Sequence, residues 1–208
     1  DYRQIADHIG RRTIVLELRG HGRSTARQGW DLAGHALDIE AVANDAIEGP
    51  LHLMTFSRGT CYALAWLADH ADRVLSLSIG DYPAREIRMT PDTATSLLNT
   101  TWRGTPVTDR VDVAMYDAAM AAAVSQPLWH VVAGLDIPVL VVRSGPGQAP
   151  MNDDDWERYD GLAPRLRRVR FDESPHDIFR QDRSRYPRLV AELAAEGDRV
   201  AAADRSST

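Results

Sequence analysis

Short apolar runs rich in β-branched residues alternate along this chain with longer stretches of helical spacing, and that alternation limits what the chain can fold into. The runs are Arg12–Leu18 (RTIVLEL), Leu51–Phe56 (LHLMTF), Val74–Ile79 (VLSLSI), Ile137–Val142 (IPVLVV) and Arg167–Phe171 (RRVRF). They have strand length, and most are nearly continuous rather than alternating, the pattern of strands covered on both faces. Pro138 stands near the start of its run, where a missing N–H is tolerated. The last run is shorter and more polar, as at a sheet edge. Between the runs, Ala36, Ile39, Ala43 and Ile47 fall on one helical face. Thr60–His70 is rich in Ala and Leu without Gly or Pro, and Asn152 opens a helix over Asp153, Asp154 and Asp155, acids that suit the positive end of a helix dipole. Tyr186–Ala203 reads as a last helix.

Alternating strands and helices predict an α/β fold with a mostly parallel sheet of about five strands and helices on both faces. The rhythm breaks between Tyr82 and Leu135, where Pro83, Pro91, Gly104, Pro106 and Pro127 punctuate helical pieces around Thr93–Leu98 and Val111–Val124. That stretch is too long for a simple crossover and reads as a small helical cap inserted above the sheet. The expected organisation is a core from residues 1–81 and 136–203, a cap from 82–135 and a disordered tail from 204–208.

Composition removes several chemistries. All 24 basic residues are arginine, which excludes a Schiff-base lysine, a phosphate-loop lysine and a Ser-Lys dyad. The one cysteine, Cys61, excludes an internal disulfide framework and a thiolate zinc cluster, and it reads as a small core residue. A net charge of −6 and a pI near 5.6 argue against a nucleic-acid partner. No apolar run approaches the roughly 20 residues that cross a bilayer. Asp1–Gly10 has neither a basic nor an apolar leader segment, so the expectation is a cytoplasmic protein without a membrane partner. No metal and no cofactor is implied. The arginine usage is that of a GC-rich bacterial genome.

What remains is Ser, His, carboxylates and Arg. Leu18-Arg19-Gly20-His21-Gly22-Arg23-Ser24 follows the first run, Thr55-Phe56-Ser57-Arg58-Gly59 closes the second, and Ser174-Pro175-His176-Asp177-Ile178-Phe179 follows the fifth. In this order and spacing the segments resemble the α/β-hydrolase superfamily: the loop after its fourth strand, the nucleophile elbow after its fifth, and the histidine loop after its eighth. The elbow has a physical logic. A strand turns sharply into a helix with Ser57 at the apex, so its hydroxyl stands clear and the next amide, on Arg58, points into the site. Small flanking residues are expected where backbones approach; Gly59 fits, while Thr55 replaces the usual first glycine. The competing reading makes Ser57 a helix N-cap.

The resemblance implies that His176 is the base. His8, His35 and His70 fall on helical stretches and read as surface residues. His52 reads as part of a buried strand, His21 as a backbone brace, and His130 as a cap residue near the pocket. The usual slot for the triad acid, Arg143–Gln148, holds no carboxylate. Asp81, at the end of the third run, is the preferred acid, with a turn cap as its competing role; Asp153, Glu173 and Asp177 are alternatives. Trp66 reads as core. Phe56, Tyr82, Trp102, Trp129 and His130 are expected to line the substrate pocket.

Against the family pattern the chain begins at what resembles the helix after the third strand. The resemblance implies that the first three strands and the loop with the second oxyanion amide are absent. A homodimer partner or an upstream segment would complete the sheet. Two functions stand: a serine hydrolase of small or medium apolar esters, thioesters or lactones, and a non-catalytic small-molecule binder on the same scaffold.

Overall fold

The computed structural model describes residues 5–25, 28–145, 147, 150–180 and 182–206. Four parallel strands, β1 (Leu51–Phe56), β2 (Val74–Gly80), β7 (Val139–Ser144) and β8 (Leu166–Phe171), form a sheet in that order. The helices are α1 (Leu32–Ala46), α2 (Gly59–Leu67), α3 (Pro91–Leu98), α4 (Val113–Ala122), α5 (Trp129–Ala133), α6 (Asp153–Arg158) and α7 (Arg185–Ser206). Among the described residues none is long and apolar enough to cross a membrane.

Period-two alternation builds a core on each face. In β7, Val139 and Val141 join a cluster with Leu64, Trp66, Leu77, Ile79 and Trp156, while Leu140 and Val142 join Phe171, Phe179, Tyr186, Val190 and Leu193. All of β7 is buried, which accounts for the apolar run Val139–Val142; Arg143 and Ser144 at its end are buried as well. On β2 the second face carries serines, and Ser78 is bonded to Tyr186 of α7 (2.7 Å between hydroxyls). Cys61 and Trp66 are core residues, 0% and 1% exposed.

Four corrections to the sequence reading follow. Residues 13–18 are irregular rather than a strand, and the sheet has four strands rather than about five. The segment forms no ladder with described residues, and Ile14 and Val15 stay 37% and 44% exposed, so neither hydrogen bonding nor burial holds it in a sheet. The last helix runs to Ser206 through the stretch expected to be a tail; residues 207 and 208 lie outside the described residues. The segment from 82 to 135 also contains two small antiparallel pairs, β3 (Arg85–Glu86) with β6 (Gln126–Pro127) and β4 (Thr101–Trp102) with β5 (Thr105–Pro106). Finally, a Cβ on Gly59 would meet nothing within 4 Å, whereas one on Gly80 would lie 2.9 Å from the Thr55 carbonyl oxygen. The crowding at the elbow therefore falls on β2, and Thr55 is accommodated by donating to the Ser78 carbonyl and bonding Thr60 (2.9 Å each).

Candidate active site

Because the strands are parallel, their carboxyl ends share one edge, and the chain leaves the sheet there after Phe56, Gly80 and Phe171. Ser57 follows β1 at φ +52° and Asp81 follows β2 at φ +51°. Both keep their place in the ladder: the Ser57 N–H donates to the Gly80 carbonyl (2.8 Å) and the Asp81 N–H to the Val142 carbonyl (2.7 Å). A left-handed backbone on two non-glycine residues is strained, and such strain persists where the surroundings over-determine it. Here it turns both side chains off the strand edge toward the loop after β8.

His176 lies in that loop. Its Nε2 is 2.8 Å from Ser57 Oγ, and its Nδ1 is 2.6 Å from Asp81 Oδ2. Asp81 is fully buried, and its other oxygen accepts the Ser144 N–H (2.9 Å). A carboxylate only accepts, so Nδ1 carries the proton and Nε2 presents its lone pair to Ser57. That is the arrangement in which imidazole can take a hydroxyl proton. Phe56 stacks on His176 at 5.0 Å, inclined by 24°. The alternative carboxylates are engaged elsewhere: Asp153 with Arg143, Glu173 with Arg185, and Asp177 with Arg103. Within the usual acid slot, Pro146 and Gln148 lie outside the described residues.

Ser57 opens onto a cavity of about 240 Å³. Its walls come from the loop after residue 18 (Leu18, Gly20, His21), from α1 and the turn before it (Trp30, His35), from the elbow (Phe56, Arg58, Tyr62), and from α4 (Met115, Tyr116, Ala119, Met120). A more open cleft of about 690 Å³ shares Gly20, Trp30, Val111 and Met115 with it. The lining of the smaller cavity is mostly apolar, as expected for a small-molecule site. The Arg58 N–H makes no hydrogen bond with described residues, while its guanidinium is fully engaged with Tyr62 Oη, the Ile87 carbonyl and Glu86. Burial pushes the Glu86 carboxyl upward, opposed by the Val124 N–H and by Arg58. Burial also pushes the Cys61 thiol up to about 12, so it stays protonated beneath the elbow.

Several expected pocket residues are placed otherwise. Tyr82 and Trp129 belong to the buried core, 2% and 4% exposed; Trp129 stands edge-on to Tyr159 at 4.9 Å. His130 is exposed on α5. Trp102 stands edge-on to His176 at 6.5 Å instead of lining the cavity. His35 is not a surface residue. It is 1% exposed, stacks on Tyr62 at 3.7 Å and donates from Nδ1 to the Asp31 carbonyl (2.9 Å). Burial, then the nearby Arg19 and Arg58, lower its pKa, so the ring is neutral. The sequence carried no signal for His35 or Trp30, since both reach the cavity only through the way α1 docks.

A family model described as the alpha/beta hydrolase fold matches residues 2–108, just over half of the chain. Among solved structures the fold is similar to an esterase from Exiguobacterium antarcticum, at TM-score 0.68 and 19% identity over 85% of this chain and 79% of that one. It is also similar to the enol-lactonase from Burkholderia xenovorans, at 0.67 and 19% over 86% and 79%. A thermophilic esterase from Thermogutta terrifontis gives 0.68 and 17% over 86% and 78%. No curated protein matches the sequence.

Proposed function

The chain belongs to the α/β-hydrolase fold family, and from that premise we propose that it is a serine hydrolase of small or medium apolar esters, thioesters or lactones. Ser57 Oγ attacks the substrate carbonyl as His176 Nε2 takes its proton. Asp81 holds the imidazole in the required tautomer and balances its charge. The Arg58 N–H receives the oxyanion; one such donor contributes about 2.7–4 kcal/mol of transition-state stabilisation. The proton on Nε2 then passes to the leaving alkoxide, thiolate or lactone oxygen, and water, activated by the same imidazole, releases the acid. The apolar cavity takes the group that flanks the carbonyl.

The observation that carries this reading is the unbroken relay from Ser57 Oγ through both ring nitrogens to a buried carboxylate, at 2.8 and 2.6 Å. The names of the esterase and enol-lactonase neighbours agree with a carbonyl substrate. The test is labelling with a fluorophosphonate, read by intact mass and peptide mapping. The expected result is one label on Ser57 and none on Ser57→Ala, with both proteins folded by circular dichroism. A folded wild-type protein that takes no label overturns the hydrolase and favours a binder on the same scaffold.

A further inference from the structure

Three non-glycine residues among those described have a left-handed backbone: Ser57, Asp81 and Arg103 (φ +49°). The first two are the strained supports of the proposed nucleophile and acid. The third is far away in sequence, at the tip of the β4–β5 hairpin, yet it reaches the same place. Its guanidinium grips Asp177, the residue after His176, with two charge-assisted bonds: Nε to Oδ2 at 2.8 Å and Nη2 to Oδ1 at 2.6 Å.

We propose that Arg103 is a positioning residue for His176, clamping the histidine loop from the inserted segment. The proposal rests on the hydrolase reading and deepens it. Both central residues of the hairpin turn, Arg103 and Gly104, have positive φ, a turn that favours Asn-Gly. Arginine is a poor residue for that backbone, and the fork it makes with Asp177 is what its side chain does there. Both partners are largely buried, their side chains 16% and 7% exposed. The Arg103 guanidinium also lies over the rings of Trp102 (5.8 Å) and Phe179 (5.7 Å), and Trp102 stands edge-on to the imidazole at 6.5 Å.

Asp81 fixes the imidazole at one atom only. The direction of Nε2 toward Ser57 also depends on the backbone at 176–178 and on the rings around His176. The fork supplies the first and seats the second. A displacement of about 1 Å at a reacting group can cost on the order of a hundredfold in rate. Arg103 is not part of the cavity wall, so its loss acts on the chemical step rather than on substrate capture.

The test compares wild type, Arg103→Gly and Arg103→Lys. Glycine suits the positive φ, so this variant keeps the turn while losing the clamp. Fluorophosphonate labelling rate, kcat and KM for p-nitrophenyl butyrate, and Tm are measured together. The expected result for Arg103→Gly is a fall in kcat and labelling rate of about ten- to a hundredfold. Its KM stays within about twofold, and its circular dichroism at the assay temperature matches wild type although Tm falls, because the buried Asp177 loses its partner. Arg103→Lys, which keeps the charge but not the fork, recovers part of the rate. A wild-type rate in Arg103→Gly, or a rate loss accompanied by a changed circular-dichroism spectrum at the assay temperature, overturns the clamp. If wild type labels on Ser57 and Arg103→Gly is unchanged, the clamp alone fails. If wild type takes no label, the hydrolase reading itself fails and the clamp with it.

Discussion

His52 stands between Ser76 and Asp198 much as His176 stands between Ser57 and Asp81: Nδ1 is 2.9 Å from Ser76 Oγ and Nε2 is 3.2 Å from Asp198. The same three residue types therefore meet twice, and what separates the two sets is backbone and access. Ser76 lies inside β2, 1% exposed, so its hydroxyl is closed off from solvent. Ser57 is lifted out of its strand by the positive φ and faces a cavity. Asp81 is lifted in the same way, and its exclusively accepting carboxylate fixes the His176 tautomer. Asp81→Asn tests that role cleanly, because Asn tolerates the left-handed backbone. Its amide can present N–H to Nδ1 and favour the wrong tautomer, so kcat on an activated ester is expected to fall by about four orders of magnitude with the fold intact. A rate within about tenfold of wild type would move the acid role elsewhere. Ser57, His176 and Asp81 were legible from strand ends and the three family-like segments. Arg103 was not, because nothing in Trp102-Arg103-Gly104 says which loop the tip will touch.

At the scale of elements, α4 forms one wall of the cavity in front of Ser57. Met115, Tyr116, Ala119 and Met120 fall on one face and reach the space above Ser57. The helix is fixed at its start by an isolated bridge between His21 and Val111 and by the Asp112 N–H donating to the Gly20 carbonyl (3.0 Å). Its middle carries the small residue that leaves the cavity open. Ala119→Trp is expected to fill that space. kcat/KM for p-nitrophenyl hexanoate should then drop by about tenfold or more relative to p-nitrophenyl acetate, since each methylene excluded from an apolar pocket costs roughly 1–3 kcal/mol. Equal losses on both esters would place the acyl chain somewhere other than under α4. The helix itself was readable from Val111 to Val124, and the structure gives Val113–Ala122. Its docking was not readable, because its mostly alanine and methionine sequence leaves the facing side undefined by pattern. Conversely, Asn152 was legible as a helix start, and it closes a capping box with Asp155.

At the scale of the whole molecule, the buried His35 and the partly buried His52 tie the fold to pH. His35 and His52 both have lowered pKa values, in each case chiefly from burial. The folded state then binds fewer protons than the unfolded chain below the ordinary histidine value of 6.5, so stability declines as pH falls through that value. Glu86, raised by burial, acts in the opposite sense just above its ordinary 4.5, and Asp198, lowered chiefly by its bond to Arg11, matters only below its ordinary 3.8. Between about pH 7.5 and 5.5 the histidines therefore dominate, and Tm is expected to fall over that range in wild type. His35→Phe, which keeps the stack on Tyr62, combined with His52→Gln should flatten the slope; a wild-type Tm without pH dependence there would contradict it. The sequence by itself determined the parallel sheet, the strand ends and the residues held at them, because period-two and period-3.6 patterning and turn residues are local properties. Only the tertiary structure decided that residues 13–18 stay outside the sheet, that Tyr82 and Trp129 belong to the core, and that His35 and α4 enclose the cavity. Those outcomes depend on which faces find partners, and ladder pairing and burial are settled between segments distant in sequence, not within any one of them.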